Sequence, residues 1–106
     1  HALIYDSKLL VFYAETVEDI EGTSVHCLDL MNTVWTRLDH LDGPAKYLIS
    51  FQDGKSYYII QRNGNVWRLA NTKVKLVSFK FIGKLWTSDR VLYGAVHCKD
   101  QLMLFG

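Results

Sequence analysis

Residues 47–69, YLISFQDGKSYYIIQRNGNVWRL, decide the fold. Three short runs rich in β-branched and aromatic residues, 47–51, 56–61 and 65–69, are separated by Asp53-Gly54 and Asn63-Gly64. Such runs favour strands because branched and flat side chains pack well on a pleated surface. The two dipeptides are favoured in two-residue hairpin turns, where both central residues need φ > 0 and glycine has no Cβ to resist it. Residues 47–69 are therefore expected to form a three-stranded antiparallel meander.

The same signals continue outward. Strand-like runs lie at 2–5, 9–13, 24–30 and 34–38 before the meander and at 74–81, 91–97 and 102–105 after it. Only 15–21 could pass for a helix; it is too short to be stable alone and lacks a sustained apolar stripe, so it is expected to be a long acidic loop. Pro44, the only proline, sits between two strands, where its missing N–H costs no ladder bond. The expected class is all-β and antiparallel, with a small barrel or sandwich as the alternative.

Length and composition agree with one globular domain: 106 residues, 49% hydrophobic and 22% charged. The apolar runs are too short for a membrane helix or a signal peptide, and a cytoplasmic location is expected unless a leader preceded His1. Cys27 and Cys98, the only cysteines, are too few for a disulfide framework and are expected to be buried thiols. Charge is strongly asymmetric. Residues 1–53 carry 3 basic and 9 acidic side chains, a net −6, and residues 54–106 carry 9 basic and 2 acidic, a net +7. Such a split suits a basic binding face, or two ends that attract one another in an assembly.

The chain also repeats itself. The segments 2–13, 47–61 and 91–105 each read as apolar strand, tight polar turn, apolar strand, with turns at Asp6-Ser7-Lys8, Asp53-Gly54-Lys55 and Lys99-Asp100. Phe12, Ile59 and Leu104 recur at a spacing suited to four-stranded propeller blades. A polar turn leading to tryptophan occurs twice, at Asn32-Thr33-Val34-Trp35 and Asn63-Gly64-Asn65-Val66-Trp67, the first placing its tryptophan on a fourth strand and the second on a third.

Residues 1–45 resemble a kelch repeat: 1–5 as first strand, 8–12 as second, a variable loop, 25–30 as third, then the turn and strand at 32–38, with Gly43-Pro44-Ala45 as link to the next blade. The doubled glycine that normally ends the second strand is replaced by Tyr13-Ala14, and later residues match loosely. The resemblance implies blade-like units at about 1–43, 44–82 and 83–106, the last incomplete. It also implies a non-enzymatic role in which blade-connecting loops bind a protein partner. The contact residues expected on that basis are Glu15, Glu18, Asp19 and Glu21 of the acidic loop, with Asp39, His40 and Asp42 of the 39–44 link.

Two further expectations compete with this one. Lys73, Lys75, Lys80, Lys84 and Arg90, interleaved with Phe79, Phe81 and Trp86, suit single-stranded nucleic acid, where charge tracks the backbone and rings stack on bases. The plainer reading is an edge strand studded with lysine against unwanted pairing. A closed propeller needs about four to eight blades, so the third expectation is assembly with copies of the chain or with the rest of a larger one.

Catalysis and metal binding find little support. His26-Cys27 and His97-Cys98 offer four zinc-ligand types, but neighbours on a strand point to opposite faces and cannot share one ion. The same geometry separates Cys27 from His26 as a nucleophile and base, and Ser24 is expected on a strand rather than a strained elbow. No glycine-rich loop leads into a helix to hold phosphate. No enzyme activity and no cofactor are expected.

Overall fold

The computed structural model describes residues 1–54, 56–71, 77–86, 94–98 and 101–105. Every regular element among them is a β-strand, so the protein is all-β and antiparallel. The chain divides into two compact units, His1–Ala45 and Lys46–Gly106.

The first unit is a four-stranded meander of β1 (Ala2–Tyr5), β2 (Lys8–Val17), β3 (Ile20–Asp29) and β4 (Val34–Asp42), in that spatial order. Asp6-Ser7 and Glu18-Asp19 are two-residue turns with φ of 50°, 60°, 51° and 64°. Both loop residues of each are left-handed, the combination that matches strand twist, with one aspartate in each turn, a residue that tolerates this conformation. At the β3–β4 turn the Thr33 amide donates to the Asp29 carbonyl at 2.8 Å and the Met31 amide to Asp29 Oδ1 at 2.9 Å. Leu10, Phe12, Val25, Cys27 and Leu41 are buried on one face, each large side chain worth roughly 1.5–3 kcal/mol against exposure.

The region 15–21, expected as a long loop, is instead the end of a hairpin. Val17 pairs with Ile20 and Thr16 with Glu21, so the ladder runs to the turn itself. Alternation across Tyr13, Glu15 and Val17 sustains the strand, and Glu18-Asp19 supplies the turn that glycine would ordinarily mark. The 39–44 link is corrected likewise: Asp39, His40 and Asp42 lie on β4, which continues to Asp42 by pairing with β3. A bulge at Leu38 explains the extra length, because it absorbs one residue and lets pairing resume at Asp39.

The second unit holds another meander, β5 (Ile49–Asp53), β6 (Ser56–Ile60), β7 (Asn65–Asn71) and β8 (Val77–Lys84), and a separate hairpin of β9 (Gly94–Cys98) and β10 (Gln101–Phe105). The meander expected at 47–69 is present, with two differences. The strand starts at Ile49 rather than Tyr47, whose φ of 61° breaks the extended run. Asn63-Gly64 is not a two-residue turn: the Gly64 amide donates to the Gln61 carbonyl and the Gln61 amide to the Asn65 carbonyl, both at 2.9 Å. This is a three-residue loop closed by a left-handed Gly64 with φ of 92°. At the other turn Asp53 pairs with Ser56, which makes Asp53 the last strand residue and Gly54 the first of the loop.

Ile49, Ile60 and Val66 form a buried cluster on one face, with Phe51, Tyr58, Trp86 and Leu104 packed against it. Phe51 stacks on Tyr58 with centroids 5.0 Å apart. Trp67 meets Phe81 edge to face and donates its indole N–H to Gln61 Oε1 at 2.8 Å, which pairs the buried Gln61 side chain.

Candidate functional site

Strand register gathers the expected contact residues of the first unit toward one end. The β2–β3 hairpin outruns its neighbours: β1 reaches only Val11, and β4 ends opposite Gly22. Its tip presents Glu18, Asp19, Ile20 and Glu21 to solvent, Ile20 at 58% exposure. Asp42 lies beside the base of the tip, opposite Gly22, and Asp39 is exposed further along β4, opposite Val25. The projecting end is thus acidic around one exposed aliphatic side chain.

Glu15 and His40 do something different. Along β2 and β3 strict alternation places Tyr13, Glu15, Ser24 and His26 on the face opposite the Leu10 and Phe12 core. The bulge at Leu38 puts His40 on that same face as Arg37, where unbroken alternation would turn it away. The Ser24 hydroxyl then lies 2.8 Å from His40 Nδ1 and 3.5 Å from an Arg37 Nη2 that donates to it. Arg37 also pairs with Glu15 at 3.3 Å, and the Tyr13 hydroxyl lies 3.0 Å from His26 Nε2.

These contacts bear on the acidity of Glu15 and Tyr13. Hydrogen bonds from Ser24 and then Tyr13, helped by the charges of Arg37 and His40, hold the Glu15 carboxyl below its ordinary range, with desolvation opposing them. Burial, then the bond and charge of Glu15, raise Tyr13. His40 Nε2 is buried and has no hydrogen-bond partner among the described residues, while Nδ1 shares a hydrogen bond with the Ser24 hydroxyl. Glu15 is thus paired with Arg37 on the face that also holds the Tyr13–His26 and Ser24–His40 hydrogen bonds. This network ties β2, β3 and β4 together directly behind the acidic tip.

A hydroxyl beside an imidazole can serve as nucleophile and base, and here burial sets a different role. Ser24 is fully buried, and neither ring nitrogen of His40 meets a carboxylate among the described residues. The pair joins β3 to β4. Cys27 points away from His26 into the buried face, where desolvation raises its thiol pKa and keeps it a thiol. His97 and Cys98 lie on β9, and their side chains fall outside the described residues.

Of the alternative nucleic-acid residues, Lys80 and Lys84 are exposed on β8. Lys80 sits opposite Arg68 and Lys84 opposite Asn65, so the two lysines lie on opposite faces of the sheet. Trp86 packs against the Ile49 cluster and donates its indole N–H to the Arg62 carbonyl at 2.9 Å. Lys73, Lys75 and Arg90 lie outside the described residues. Among the tryptophans, Trp35 is the exposed one, at 56%, and joins Ile4, Leu9 and Leu28 in an apolar row across the first sheet.

Sequence reasoning missed Tyr13, Ser24, His26 and Arg37 as a group. The one signal present was polar spacing at every second residue, Tyr13 with Glu15 and Ser24 with His26, hidden because 15–21 reads as a break between strands. Comparison of the chain with protein-family models, with curated proteins and with solved structures finds no match.

Proposed function

We propose that the chain is a non-enzymatic protein-interaction module, kelch-like in its blade units, which meets a protein partner through the acidic end of its first sheet. The observation that carries this reading is the projecting β2–β3 hairpin, with Glu18, Asp19 and Glu21 set around an exposed Ile20. An aliphatic side chain exposed at a hairpin tip buries little area in the fold, and in an interface it supplies the apolar anchor that a ring of charge orients. The Glu15 network stiffens the hairpin behind the tip, which lowers the ordering cost of binding. The partner that fits is a basic surface with a shallow apolar pocket.

Charge reversal tests this. E18K/D19K/E21K should lose binding to a protein partner at least tenfold, whereas K80E/K84E should leave that binding intact. The opposite pattern, with affinity for a single-stranded oligonucleotide that falls steeply with salt, would replace the module by the nucleic-acid reading.

A further inference from the structure

We infer that two copies of this chain pair edge to edge, the acidic β4 edge of one against the basic β8 edge of the other. Among the described residues β4 pairs only with β3 and β8 only with β7, which leaves both fourth strands with an unpaired side. An unpaired strand side presents amide and carbonyl groups that another strand can satisfy.

The charges on the two edges are opposite in sign and match in spacing and facing. Asp39 and Asp42 stand opposite Val25 and Gly22, three register steps apart and hence on opposite faces of their sheet. Lys80 and Lys84 stand opposite Arg68 and Asn65, also three steps apart and on opposite faces, because the bulge at Ile82 removes one of the four steps between them. One alignment of β4 against β8 therefore places one aspartate beside one lysine on each face. Opposite charges directly across a strand pair favour that register, and like charges disfavour it.

All four side chains are exposed, and none has an ion-pair partner among the described residues. Lysine on an edge repels a second basic edge and so blocks self-pairing of β8 with β8; the acidic edge of matching spacing is the one it accepts. Exposed Phe81 and Ile82 beside the lysines, and Val34 and Trp35 further along β4, add apolar area to the contact. The pairing uses none of the tip residues Glu18, Asp19, Ile20 and Glu21, so it stands or falls apart from the function proposed above.

Sedimentation velocity of the whole chain at low salt reads the outcome. Wild type should associate with rising concentration and dissociate as salt screens the exposed charges. D39K/D42K and K80E/K84E should each be monomeric alone and should associate again when mixed, since each then offers the edge the other lacks. K80Q/K84Q serves if a reversal variant loses its far-ultraviolet strand signal. Monomeric wild type at every concentration, or a mixture of two folded variants that stays monomeric, would overturn the inference.

Discussion

Glu15 on β2 and Arg37 on β4 meet at 3.3 Å across the intervening strand β3. The contact is possible because Gly22, opposite Glu15 on β3, carries no side chain; the Ser24 hydroxyl, on the same face, also accepts from Arg37 Nη2 at 3.5 Å. The pair thus locks three strands with side chains that the backbone ladder does not use.

Acid titration reads this lock. Glu15 has a folded-state pKa below its ordinary value of 4.5, so the stability it contributes is present above that value and is lost as pH falls through the lower folded pKa. The stability difference between wild type and Glu15→Gln, taken from urea unfolding, should be constant near neutral pH and should shrink below about pH 4.5. A difference that does not change with pH would remove the ionised Glu15 from the network.

Gly22→Ala should also destabilise the first unit. A Cβ at Gly22 would stand 2.5 Å from the Leu41 carbonyl oxygen and 2.6 Å from His40 Nε2, and the carbonyl belongs to the β4 backbone, which cannot swing aside. The expected cost is about 1–3 kcal/mol, the range for overpacking a close contact, measured by urea unfolding. An unchanged midpoint would mean that β4 does not approach β3 as closely as this.

The two turn glycines of the second unit should differ. Gly54 has φ of 59° with nothing within 4 Å of an added Cβ, whereas Gly64 has φ of 92° and would set a Cβ 2.5 Å from the Trp86 carbonyl oxygen. Gly54→Ala should cost only the left-handed backbone term, roughly 1–2 kcal/mol, and Gly64→Ala clearly more. Equal costs would separate the Asn63-Gly64 loop from Trp86.

How much of this was legible follows from particular residues. Residues 47–69 announced their strands because glycine marks both turns, and the all-β class followed from the spacing of similar runs. The β2–β3 hairpin was not legible, since Glu18 and Asp19 take left-handed conformations that sequence statistics assign to glycine or asparagine. The β4 extension was hidden for another reason: the bulge at Leu38 breaks the alternation that would have carried the strand past it. The Glu15 network depends on register across three strands, information that no single segment contains.

Photo-crosslinking in cells tests the central claim most directly, with a photoreactive residue placed in turn at 20 on the hairpin tip, at 35 on the apolar row and at 81 on the β8 edge. The account predicts protein adducts from position 20 that disappear in E18K/D19K/E21K. Adducts confined to position 81 and containing nucleic acid, with none from position 20, would contradict it.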